Sequence, residues 1–352
     1  MKHRNQHGFS VVELMVSMTI SLLLLAGVLS VLYTSRVTYD ENARVSRLQE
    51  YARASVELML RDLRSAGNPG CARPIRPERF RNSLANGNAL RYNFALPVQG
   101  FEGSDGSFSP AIDATILPNA TDGNDILVVR TLKSDLPPFR TSAAFGGGTG
   151  SITIEKTVGT EIPQATPLII SDCEYANVFD NALAVAAAGT TGTLVRSTAV
   201  PLVPGTVQVP QNTATAFPVY RQGSMVTAVE TVVYYIRDSA TGRCPALWRL
   251  VGNFPPQELI EGVEHLEVQY GEDTNGDLLV DEYRNADDVV SWNNVIAVTI
   301  AVLLRSPDEG MDAAGDQTWD MLGTEVGPFD DKRPRIMFTT TATVRNRATD
   351  MT

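Results

Sequence analysis

The sequence predicts an α+β protein: one long N-terminal helix, apolar in its first half and amphipathic in its second, packed on a mainly antiparallel β-sheet body. Three observations carry this. Residues 9–33 are apolar apart from Glu13 and a few small polar side chains. From Thr34 to Ala66 there is no Gly or Pro, and apolar residues recur at helical spacing. Beyond Gly67 the apolar runs turn short and β-branched, without the strand–helix alternation that builds a parallel sheet.

The first eight residues, MKHRNQHG, are polar and carry Lys2 and Arg4. The run Phe9–Tyr33 would span about 37 Å as a helix, enough to cross a bilayer. The basic flank assigns residues 1–8 to the cytoplasmic side. After Tyr33 comes TSRVTYDENARV, which holds no A-x-A cleavage site, so the run stays attached to the body. Val45, Leu48, Ala52, Val56, Met59, Leu63 and Ala66 then mark one helix face, and Gly67 and Pro69 supply a stop. One helix is therefore expected over Phe9–Ala66, about 87 Å long. Gly27 is its weak point, at roughly 1 kcal/mol against Ala.

Residues 68–125, rich in Pro, Gly, Asn and Asp, read as irregular surface structure. Strands are expected at 125–131, 151–156, 166–172, 231–238, 246–251, 263–270, 295–305 and 336–345. Residues 139–165 and 180–215 read as long loops or inserted hairpins. FGGGTGS (145–151) lacks the Lys-Ser/Thr of a phosphate loop and reads as a turn.

With 40 Asp and Glu against 29 Lys and Arg, the chain carries a formal net charge of −11 over 352 residues. That balance excludes a non-specific nucleic-acid binder. The arginines of 36–91 read as a solvated helix face, or as a contact for acidic lipid or acidic partners. The histidines are His3, His7 and His265. Strand alternation puts His265 with Glu267 and Gln269 on a face expected to be solvated. No G-x-S-x-G occurs and no Cys/His pairing is suggested, so no catalytic residues are assigned. Cys71, Cys173 and Cys244 form no CxxC, which argues against zinc; outside the cytoplasm, one disulfide and one leftover thiol are expected.

EDTNGDLLVDEY offers one cation reading. Asp273, Asn275, Asp277, the Leu279 carbonyl and Asp281 fall at positions 1, 3, 5, 7 and 9 of a calcium loop. Leu278 stands where such loops have Gly, and Arg284 where they have a bidentate acid. The other reading is an acidic hairpin turning at Asn275-Gly276.

The stretch GFSVVELMVSMTISLLLLAG, with Gly8 ending a basic leader, Phe9 next, and a carboxylate at the fifth position counted from Phe9, resembles the class III signal of type IV pilins. ARASVELMLRDLRSAGNPGC, YGEDTNGDLLVDEY and RIMFTTTATVRNRA resemble the PilW type of minor pilin. The resemblance implies that prepilin peptidase cuts after Gly8 and methylates the Phe9 amine. It implies a leader (1–8), a transmembrane and fibre-core helix half (9–33), an amphipathic helix half (34–67) and a β-rich periplasmic or extracellular domain (68–352). It implies a subunit stored in the bacterial inner membrane and incorporated into the pilus, near its tip, supporting adhesion, twitching motility or DNA uptake. The implied partners are other minor pilins, the major pilin and the inner-membrane assembly platform; no cofactor is implied beyond calcium at the loop. Cys71 and Cys173 lie in or near the stretches of resemblance, and their bridge is one candidate. The competing pair is Cys173–Cys244. A loop of about 100 residues closed this way contributes roughly 4 kcal/mol in the chain-entropy model.

Glu13 is the costly element, an acid in an apolar run. In one reading its side chain reaches back to the interface. In the other it pairs with the Phe9 amine of the adjacent fibre subunit and sets the insertion register. Two alternatives share parts of this pattern: a minor pseudopilin of type II secretion, and a membrane-anchored periplasmic enzyme or binding protein.

Overall fold

The computed structural model describes residues 10–70, 77–104, 106–112, 116–147, 150–198, 212–309, 317–344 and 346. The chain divides into two units, Met1–Glu50 and Tyr51–Thr352. Helix α1 runs Val11–Ser65, within the expected bounds. It closes where the sequence stops it. Ala66 N–H reaches back to Leu63 O in a tighter last turn, and Gly67 takes the left-handed conformation (φ +66°) that favours glycine after a helix.

The body is the β-rich part of an α+β, pilin-like fold. In chain order the strands are β1 Phe80–Asn82, β2 Val98–Ser104, β3 Ser107–Ser109, β4 Ile126–Leu132, β5 Phe139–Thr141, β6 Phe145–Gly147 and β7 Gly150–Glu155. Then come β8 Thr166–Ser171, β9 Ala176–Asn181, β10 Thr191–Arg196, β11 Phe217–Tyr220, β12 Met225–Asp238, β13 Pro245–Val251 and β14 Gln257–Glu261. The last are β15 Val263–Glu272, β16 Glu282–Arg284, β17 Val295–Arg305, β18 Trp319–Met321, β19 Thr324–Val326 and β20 Arg335–Thr343.

The largest sheet is built round β12, whose fourteen residues pair with β8 and β5 at one end and with β4 and β13 at the other. Its path is β1-β9-β8-β12-β4-β2-β3. Among the described residues, every pairing in it is antiparallel except β1 on β9. A second sheet has the order β16-β15-β17-β20. In β17, ten of eleven residues are buried, as the continuous apolar run VIAVTIAVLL requires.

Several expectations are corrected. Residues 68–125 are not wholly irregular, since they hold β1, β2 and β3. The span 139–165 holds β5 and β6 beside the expected strand at 151–156, which is β7, and the span 180–215 holds β10, which pairs antiparallel with β7 across the intervening β8 and β9; residues 199–211 lie outside the described ones. The face of Glu267 is not solvated: Glu267 is buried, and His265 and Gln269 are half-buried. The cause is the hairpin β18–β19. Gln269 Nε2 donates to Leu322 O at 2.8 Å, and the His265 ring lies 6.0 Å from that of Phe329.

Candidate functional site

The start of α1 shows how the apolar segment is capped. Ser10 precedes the helix and its carbonyl takes the first helical bond, from Leu14 N–H at 3.1 Å. Its hydroxyl accepts from Val12 N–H at 3.4 Å, and its own N–H donates to Glu13 Oε2 at 3.4 Å. Ser-x-x-Glu is the capping-box pattern, and SVVE carries it in the sequence. An acid there also suits the positive end of the helix dipole. Glu13 thus has a local task in its own subunit. Gly8 and Phe9 lie outside the described residues. Along the following turns the apolar side chains are exposed, Leu22 at 69% and Leu23 at 74%. By length and composition, α1 is long and apolar enough to cross a membrane.

The second unit seats the C-terminal turns of α1. Ala52, Val56, Met59, Leu63 and Ala66 are buried, as the helical spacing requires. Within that apolar face sits Asp62, only 5% exposed. Tyr234 of β12 donates to Asp62 Oδ2 at 2.7 Å, and Arg249 Nη2 of β13 donates to the same oxygen at 3.0 Å. Burial and the Asp62 charge push the Tyr234 hydroxyl far above its ordinary range, so it stays a neutral donor. Past the helix end, Gly67 N–H donates to Arg130 O at 3.0 Å, and Asn346 Nδ2 donates to the Ala66 carbonyl at 2.7 Å. Asp62 was not among the candidates. Its position three residues after Met59 and four before Ala66 was the available signal.

The acidic loop connects β15 to β16 and is not a two-residue turn. Asp273 accepts Gly276 N–H at 2.6 Å on one oxygen and Leu278 N–H at 3.0 Å on the other. Asn275 Oδ1 accepts Asp277 N–H and Asp277 Oδ1 accepts Leu279 N–H, both at 2.8 Å. Asp281 Oδ2 accepts from both the backbone and the hydroxyl of Thr274 at 2.8 Å, which holds its carboxyl below the usual range. Leu278 takes φ +66°, the conformation a glycine favours at that position of a calcium loop.

Cys173 is disulfide-bonded, and Cys244 is a buried free thiol whose ionisation burial pushes up. The free Cys244 removes the Cys173–Cys244 alternative. Cys71 lies outside the described residues.

A cavity of about 380 Å³ in the body is lined by Tyr92, Phe94, Lys133, Glu230, Phe254 and Pro255 among others. Neither a histidine nor a cysteine lines it. The body also gathers three acids that no local pattern announces, Glu102, Asp125 and Glu267, from β2, the lead-in to β4 and β15.

A long apolar helix with an acid in its first turn, continuing into an antiparallel β body, defines the class of pilin-like proteins. Residues 3–29 match the prokaryotic N-terminal methylation motif, and residues 233–346, from within β12 to just past β20, match the type IV pilus-assembly protein W family, PilW. No curated protein and no solved structure matches the chain. The two family matches support a type IV pilus minor pilin of the PilW type, carrying a class III prepilin signal. That signal implies processing by prepilin peptidase and a pilus system containing other pilins, and with the apolar helix it indicates a membrane-anchored subunit. The matched families point to a structural pilus component.

Proposed function

We propose that this subunit is stored in the bacterial inner membrane with its body in the periplasm, and that it primes pilus assembly with other minor pilins near the fibre tip. It performs no catalysis, and its part in adhesion, twitching motility or DNA uptake is indirect. The observation that carries the reading is a single acid in an exposed apolar helix, inside a matched methylation motif. Cutting after Gly8 frees the Phe9 amine four residues before Glu13. An acid carried into an apolar bundle needs a counter-charge, and a neighbouring subunit's Phe9 amine supplies one. Release of Glu13 from the Ser10 N–H would accompany that pairing.

Gly8→Val is expected to leave full-length precursor on a gel; normal processing would refute the cleavage assignment. Glu13→Val is expected to be processed yet scarce in sheared pili. Undiminished pilus content would end the pairing idea. Co-purification with the major pilin separates this reading from the type II secretion pseudopilin.

Two lesser assignments belong to the same reading. With Cys173 bonded and Cys244 free, Cys71 is the cysteine left to pair, tying the segment beyond α1 to the body. The loop Asp273, Asn275, Asp277, Leu279 and Asp281 is proposed to hold calcium, supported by the left-handed Leu278 and by carboxylates fixed through backbone N–H groups. Tryptic mapping under non-reducing conditions tests the first, where a Cys71–Cys173 peptide is expected.

A further inference from the structure

Glu102, Asp125 and Glu267 each present a carboxylate oxygen, and the three atoms lie within 4.8 Å of one another. Asp125 and Glu267 are buried and Glu102 is half-buried. Each acid is held by neutral donors. Asp125 accepts Gly103 N–H at 3.0 Å and Val268 N–H at 2.8 Å. Glu102 accepts Asn285 Nδ2 at 3.2 Å and Ala286 N–H at 3.3 Å. Glu267 takes a hydrogen bond from Thr324 on the β18–β19 hairpin.

Among the described residues, none of the three forms an ion pair. The contrast is close by on the same strand: Glu264 of β15 has Arg305 at 3.0 Å and Arg335 at 2.7 Å. Three clustered acids without a cation repel one another in a medium that already disfavours charge.

A second observation points to the same place. The Tyr270 side chain is fully buried and its hydroxyl has no hydrogen-bond partner. That oxygen lies over Gly100, where an added Cβ would sit 2.0 Å from it. Gly100 is two residues from Glu102 on β2, hence on the same strand face, and the phenol feels the charges of Asp125 and Glu102. This buried hydroxyl, near Asp125 and Glu102 and bonded to neither, can donate to water on an ion they hold.

We propose that Glu102, Asp125 and Glu267 form a binding site for a hard divalent cation of the calcium type. Carboxylate oxygens are the ligands such ions prefer, and two ligands of one calcium ion at about 2.4 Å stand at most about 4.8 Å apart. The neutral donors occupy part of each carboxylate and fix its direction, as outer partners do at metal sites. The ion would tie β2 and the lead-in to β4 to β15, joining the two main sheets.

The acidic loop is a separate candidate, so the test disables it first. Full-length chain in detergent, stripped with EDTA, carries Asp277→Asn and is unfolded thermally with and without CaCl2. Its Tm is expected to rise with calcium, and the rise is expected to vanish when Glu267→Gln or Asp125→Asn is added. In EDTA, Glu267→Gln alone is expected to unfold as cooperatively as the unsubstituted chain, because the amide keeps the shape of the side chain it replaces. That measurement also shows that the variant folds. Absence of a calcium-dependent rise in Asp277→Asn, or its retention in both double variants, would overturn the site.

Discussion

Asp62 accepts Tyr234 and Arg249 on one oxygen, in a place where water is scarce. Truncating one partner of such a pair leaves the others buried and unmatched. Asp62→Ala is therefore expected to cost about 3 kcal/mol, read from urea unfolding of the purified chain. Asp180 offers the opposite case. It is fully buried on β9, neither carboxylate oxygen has a partner, and burial pushes its carboxyl up to about 8. The folded chain therefore holds a proton there that the unfolded chain releases near its ordinary value of 3.8. Native protein binds more protons over that window, so this contribution to stability is complete below it and is lost as pH rises toward 8. Asp125, pushed up first by burial and then by the Glu102 charge, and Glu267, pushed up first by burial and then by the charges of Asp125 and Glu102, act in the same direction. In EDTA, Asp180→Asn is expected to lessen the fall in Tm between pH 5 and pH 8; an unaltered pH profile would contradict it. Of these residues the sequence displays only Asp62, by its place on an apolar helix face. Asp180 and the three clustered acids stand within runs that give no periodic signal, and they meet through pairings far apart in the chain.

Among elements, α1 was the most legible, because each of its features is local. The apolar run, the helical spacing, the missing Gly and Pro and the stop at Gly67 all lie in one stretch. Gly67 carries two constraints at once. Its φ is +66°, and an added Cβ would stand 2.6 Å from Pro97 Cγ. Gly67→Ala is expected to cost about 2 kcal/mol, the left-handed penalty for a residue with a Cβ plus the displacement of Pro97. A Tm equal to that of the unsubstituted chain would mean that the helix ends differently. The strands of the second sheet were legible too, since β17 and β20 are long and β-branched. The hairpin β18–β19 was not. Its three-residue strands are too short for alternation to register, yet it is what covers the Glu267 face.

At the scale of the molecule, the α+β class followed from a change of texture at Gly67, but the sheet order did not. β12 pairs with strands on both sides in sequence, and β1 joins β9 in parallel across nearly a hundred residues. Such pairings depend on packing and not on any local pattern. The matched regions fall at the two ends of this architecture: the methylation motif at the start of α1, and PilW from late β12 through the second sheet. In the proposed function, processing and fibre entry both depend on the first of these. Mass spectrometry of the mature protein's N-terminus tests it directly. The expected product begins at an N-methylated Phe9, with residues 1–8 removed. A mature, membrane-anchored chain that still carries residues 1–8 would contradict the account.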